Sequence, residues 1–161
     1  MVARTEDLGV GTFQLEEEFR IEAPRDAVYA ALVHDIGVWW GYRISSGESR
    51  IHLEPQIGGR LYEDCAAGGA LWGVVTEIRR PEFLRLEGAF GMKSAVRCLC
   101  EIRLAEDGPA TRLGLRLESF GVIDPAASQA QEAGLKFLLG TCLKRFVEEG
   151  LTWDRLASGG A

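Results

Sequence analysis

Residues 111–150 read TRLGLRLESFGVIDPAASQAQEAGLKFLLGTCLKRFVEEG, and they change period half-way. In the first ten, Leu113, Leu115 and Leu117 alternate with Arg112, Arg116 and Glu118, the pattern of a strand with one face buried and one wet. After Asp124-Pro125 the spacing becomes helical. Leu135, Leu138, Leu139, Cys142, Leu143 and Phe146 form one apolar stripe. Asp124-Pro125 can start this helix, and Ser128 with Gln131 reads as a capping box. From Ser128 to Glu149 such a helix is about 33 Å long. Gly150 is a natural stop.

Upstream of this stretch the two-residue period recurs. Val96, Cys98, Cys100, Ile102 and Leu104 share one face, and Asp107-Gly108 turns the chain into Thr111. Leu84, Leu86 and Phe90 form the inner face of 83–90. In 71–80 the alternation places Trp72, Val74, Thr76 and Ile78 together. Gly58-Gly59 marks a hairpin between 50–55 and 60–65, and it places Glu63 on the face of Leu61 and Cys65, opposite Tyr62. Short turns between strands of this kind give an antiparallel sheet.

At the other end, Phe13, Leu15, Phe19 and Ile21 alternate with polar neighbours. Pro24 then suits the first turn of a short helix. Asp35 can cap a second through Ile36, Val38, Trp39 and Trp40, and Ser45-Ser46-Gly47 marks a loop. The order is strand, two short helices, six strands, long helix. This is an α+β class, a curved seven-stranded antiparallel sheet around a long C-terminal helix. One helix cannot fill the hollow side of so broad a sheet, so an internal cavity is expected.

The chain has 161 residues, 47% hydrophobic and 26% charged, with a formal net charge of −6. That is ample for one core without metals or disulfides. An acidic domain is repelled by phosphate backbones, so no nucleic-acid partner is expected. No window is apolar enough for a bilayer span or signal peptide, so integral membrane association is not expected and the cytoplasm is the expected compartment. The four cysteines (Cys65, Cys98, Cys100, Cys142) contain no CxxC pair and read as buried small hydrophobes. His34 and His52 are the only histidines, and no nucleophile elbow, HExxH or phosphate loop is present, so no metal and no cofactor are expected.

The run Phe19-Arg20-Ile21-Glu22-Ala23-Pro24-Arg25-Asp26-Ala27-Val28-Tyr29-Ala30-Ala31-Leu32 resembles the opening of the SRPBCC (START-like, birch-pollen-allergen-like) superfamily, as does the tryptophan-bearing segment after it. Ile57-Gly58-Gly59-Arg60-Leu61-Tyr62 and Gly73-Val74-Val75-Thr76-Glu77-Ile78-Arg79-Arg80-Pro81-Glu82-Phe83-Leu84 are similar to the branch of activators of the ninety-kilodalton heat-shock chaperone ATPase. The resemblance spans about residues 13 to 150. It implies a helix-grip fold with a deep hydrophobic cavity. It also implies a range of roles, among them lipid and sterol carriage, polyketide cyclisation and chaperone activation. The layout is then a flexible lead-in at 1–12, a single START-like domain at 13–157 and a disordered tail at 158–161.

Ligand-lining candidates are Trp39, Trp40, Trp72, Phe90, Met92, Leu135, Leu138, Leu139 and Cys142, which offer wide apolar faces and indole donors. Core filling is the alternative for the tryptophans. Glu17 is the one charged residue on the apolar face of its strand. It is the candidate catalytic group, because an inward carboxyl can orient a hydroxyl or move a proton. A bulge that turns it outward, or a structural ion pair, is the alternative. The leading expectation is a carrier or sensor that binds a small hydrophobic or amphipathic molecule such as a lipid or polyketide-like compound. The alternatives are a cofactor-free cyclase or dehydratase acting through Glu17 and a chaperone-interacting module. Homodimerisation is compatible with each.

Overall fold

The alternation at 13–22 becomes β1 (Gly11–Ile21), which begins inside the expected lead-in. Its register against the last strand is unbroken, so no bulge rotates Glu17 outward. Pro24 N-caps α1 (Arg25–Val33), and α2 (Ile36–Trp39) follows. The remaining strands are β2 (Ser49–Leu53), β3 (Arg60–Cys65), β4 (Gly68–Arg79), β5 (Phe83–Gly88), β6 (Val96–Asp107) and β7 (Ala110–Gly121). A computed structural model describes residues 6–45 and 48–159. The expected loop positions Ser46 and Gly47, and the ends of the expected lead-in and tail at 1–5 and 160–161, lie outside the described residues.

All seven strands form one antiparallel sheet in the order β1-β7-β6-β5-β4-β3-β2. The inner faces of β6 and β7 are as the alternation predicts: Cys98, Cys100, Leu104, Leu113 and Leu117 are all buried. In β4 the expected face is corrected. The register slips between Leu61 and Tyr62 on β3, opposite Trp72, and again between Val75 and Glu77 on β4. Each slip inserts an extra residue and shifts the alternation. Val75 therefore points inward, Val74 is only partly buried, and Thr76 is exposed. These irregularities bend β4 and help the sheet to curve.

The outer face is also ordered. Phe83 is buried there beneath the guanidinium groups of Arg79, Arg85 and Arg103, which lie 4.6, 5.6 and 4.5 Å from its ring centre. Glu101 ties two of these arginines together at 2.7 and 3.2 Å.

The C-terminal rod starts earlier than the expected capping box. Asp124 is the N-cap, its Oδ1 accepting from the Ala126 amide at 3.0 Å, and Pro125 occupies the first turn. Ser128 lies inside the helix, with its hydroxyl donating back to the Asp124 carbonyl. The rod comprises α3 (Pro125–Phe137), a π-helical segment (Leu138–Leu143) and α4 (Lys144–Glu149). Gly150 ends it at φ 68°, where a side chain would be strained. Leu138, Leu139, Cys142 and Leu143 are all buried against the sheet. Gly140 accepts the ring of Phe19 from β1: a Cβ there would stand 2.6 Å from that ring.

A last short helix, α5 (Trp153–Ala157), folds back over the chain. Trp153 packs edge-on against Phe137, and its ring covers Gly41 so closely that a Cβ would lie 2.3 Å from it. Gly41→Ala is therefore expected to expel Trp153. The expected loss is about 1–3 kcal/mol, the range for overpacking, measured by urea unfolding and accompanied by faster proteolysis after Gly150.

Candidate functional site

The hollow of the sheet is filled rather than open. Trp39 and Trp40 from α2 and Trp72 from β4 form a chain of indoles, with ring centres 5.8 and 5.4 Å apart. Trp39 has no exposed surface, and its Nε1 donates to the Ala31 carbonyl at 2.8 Å. What remains between the rod and the sheet is a void of about 20 Å³ bordered by Trp40, Leu53, Leu61, Phe90, Leu135 and Leu139. That is room for about one water and for no organic guest. The deep internal cavity expected from the sequence is thus replaced by packed side chains. Each indole occupies volume that a smaller residue would have left free.

Space opens instead at the mouth of the grip. A cleft of about 540 Å³ lies between α3, the first half of β4 at Trp72, the turn at 90–94 and the segment at 42–44. The rim residues Lys93, Ser94, Asp124 and Ala130 are exposed, so the cleft is open to solvent. Its volume lies within the range of small-molecule sites. Other depressions are more charged; one of about 760 Å³, which Arg43 also borders, is ringed by Glu48, Arg50, Asp64 and Asp154.

The cleft exists because of what α3 lacks. Its first turns present Ala127, Ala130 and Gly134 to the cleft, whereas the following turns present Leu135 and Leu138. Small residues at helical spacing leave a trough where large ones would close it. The opposite wall is a tight turn. The Met92 amide donates to the Ala89 carbonyl at 3.0 Å, and Phe90 and Gly91 both have positive φ, 48° and 80°. Phe90 carries this left-handed strain in a bulky residue, a cost of about 1–2 kcal/mol. Its ring is the partition between cleft and void and borders both.

The third wall, Tyr42 to Ile44, has no secondary structure and is held by side chains. The buried Glu63 carboxylate accepts from the Ile44 and Ser45 amides at 2.7 and 2.8 Å. Burial opposes its charge, but these amide donors more than reverse that and hold its pKa below the usual carboxylate range. Tyr42 packs edge-on against Phe137, at 6.2 Å between ring centres. Arg43 donates to the Trp40 and Tyr42 carbonyls.

Of the expected lining residues, Trp72, Phe90, Met92, Leu135 and Leu138 meet at the cleft. Trp40 and Leu139 border only the small void, and neither Trp39 nor Cys142 borders either space. Burial pushes the Cys142 thiol up to about 11, and Cys100 up to about 12, so both are protonated apolar groups at neutral pH. Glu17 does stand on the inner face of β1, but Lys136 of α3 meets it at 2.7 Å and it does not line the cleft. Tyr42, Arg43, Ile44, Lys93 and Gln131 are lining residues not anticipated from the sequence.

Two polar atoms near this surface have no hydrogen-bond partner. Trp72 is 7% exposed and its indole N–H is unpaired, as is the Gln131 Oε1, while Gln131 Nε2 points to the Cys98 sulfur at 3.6 Å. A buried unpaired donor and acceptor each cost about 1–3 kcal/mol until something meets them.

A chain of this architecture has solved counterparts. An uncharacterised protein from Rhizobium leguminosarum superposes with a TM-score of 0.69 at 17% identity, over 87% of this chain and 97% of that one. The fold is a helix-grip. CalU16 from Micromonospora echinospora shares the helix-grip with a TM-score of 0.60 at 18% identity, over 88% of this chain and 85% of its own. DynU16, from the dynemicin biosynthetic locus, matches at 0.57 and 18% identity, over 85% of this chain and 48% of its own. A scan against protein-family models and a search of curated proteins each found no match. Among the described residues of this helix-grip chain, no helix is long and apolar enough to cross a membrane.

Proposed function

We propose that the protein is a cytoplasmic carrier or sensor for a small hydrophobic or amphipathic molecule, such as a lipid or polyketide-like compound, held in the open cleft and not in a deep cavity. The carrying observation is the cleft itself: about 540 Å³ with Trp72, Phe90, Met92, Leu135 and Leu138 on its walls. Apolar area removed from water supplies affinity at about 25 cal/mol per Å² before ordering costs. The reading is of binding and not turnover. Asp124, the one carboxylate on the lining, is spent on capping α3, and Glu17 is paired with Lys136.

Ala130 is exposed, helical and on the rim, so Ala130→Trp places an indole across the trough without disturbing the core. Titration with a fluorescent polyaromatic probe is expected to show binding to the native chain and at least a tenfold weaker affinity in this variant, a difference of about 1.4 kcal/mol. Circular dichroism should be unchanged. Equal affinity in both proteins would remove the cleft as the site.

A further inference from the structure

The cleft is apolar along its floor, yet two cations border it, Arg43 and Lys93. We infer that its guest is an amphipathic anion, an apolar ring system or chain ending in a carboxylate, with Arg43 as the group that receives the charge. This rests on the binding function proposed above and adds the chemical class of the ligand.

Carboxylates outnumber cations in this chain, 24 Asp and Glu against 18 Lys and Arg. With that excess most basic side chains find a partner: Arg20, Arg25, Arg60, Arg85, Arg103, Arg116, Lys136 and Lys144 all do. Arg43 and Lys93 make no ion pair within 4.0 Å among the described residues. Arg43 is more than half-withdrawn from water yet answers only to two carbonyl oxygens, those of Trp40 and Tyr42. The carboxylates whose charge acts on it are Glu63 and Asp154. The first is occupied by the Ile44 and Ser45 amides, and the second lies beyond ion-pair distance.

A guanidinium losing water without gaining a carboxylate is unfavourable, and burial accordingly lowers the Arg43 pKa. The side chain has five N–H donors in a planar fork that matches a carboxylate edge. A guest with an anionic end completes that set at the moment of binding. Asp124 is the opposing charge on the rim, and its Oδ1 is already directed to the Ala126 amide. Lys93, on the exposed turn, adds attraction at longer range that salt screens.

The test is a matched pair of probes, anthracene-2-carboxylate and the isosteric anthracene-2-carboxamide, titrated by fluorescence at low and at 0.5 M salt. The native chain is expected to bind the carboxylate about tenfold more tightly, and high salt should narrow the gap. Arg43→Gln is expected to abolish the preference, and a preference that survives in this variant would overturn Arg43 as the receiving group. Lys93→Gln, in an exposed loop where folding is not at risk, should reduce the preference in part. Equal binding of both probes to the native chain, blocked by Ala130→Trp, would overturn the anionic ligand and leave the cleft standing. Binding of neither probe, or binding that Ala130→Trp does not affect, would overturn the cleft and this inference with it.

Discussion

Trp39→Ala is expected to cost about 3–5 kcal/mol of folding stability, the range for removing a large aromatic from a core. Trp39 has no exposed surface and stands at the inner end of the indole chain. Its removal takes away the contact with Trp40 and orphans the Ala31 carbonyl that its Nε1 satisfies. For a chain of this length the midpoint of thermal unfolding should fall on the order of 10 °C. Trp39→Phe keeps most of the volume and should lose less. Chemical denaturation of the three proteins measures both. A loss under about 1 kcal/mol for the alanine variant would mean that the indoles do not support the grip from within.

Glu63→Gln is expected to destabilise the protein by about 2–3 kcal/mol at neutral pH, because two amide bonds to a charged acceptor become bonds to a neutral one and an amide group must be fitted into a closed site. The expected effect depends on pH. The folded pKa of Glu63 lies below its unfolded value of about 4.3. The carboxylate therefore contributes fully above that value, and its contribution is lost as pH falls through the folded pKa. Glu54, held at about 2 by its bonds to Arg60, is common to both proteins. Native and variant unfolding curves should thus differ most above about pH 5 and converge on acidification. A difference constant from pH 7 to pH 3 would show that the Glu63 charge does not hold the Ile44–Ser45 wall.

Most of the architecture was legible because it rests on periodicity. The alternation of β6 and β7, the stripe of α3 and its π-helical continuation, and the short helices behind Pro24 are written in the spacing of apolar residues. Bulges are not: nothing in 71–80 announces that Trp72 and Thr76 stand outside the pairing, so plain alternation puts Thr76 inward where the strand turns it to solvent. Ser128-Gln131 and Asp124-Pro125 both carry start signals; the rod begins at the second pair, and only tertiary context decides between them. Glu17 was rightly placed on the inner face, but its partner lies on another element and pairing across elements has no local signature.

The site was half legible. Large apolar residues suggest pocket walls in a sequence, whereas a wide side chain fills space at least as often as it borders it. The informative signal was the reverse: Ala127, Ala130 and Gly134 recur at helical spacing where leucine would be needed to close the grip. The irregular wall at 42–44 carries no periodicity, and Arg43 draws attention only once its missing partner is known.

Because the cleft has exposed rims, a guest need not wait for a helix or strand to move before it enters or leaves. Arrival would then be governed by encounter alone, and the lifetime of the complex by the strength of its contacts. Such a protein would take up cargo as fast as it meets it, with no gating step between encounter and capture.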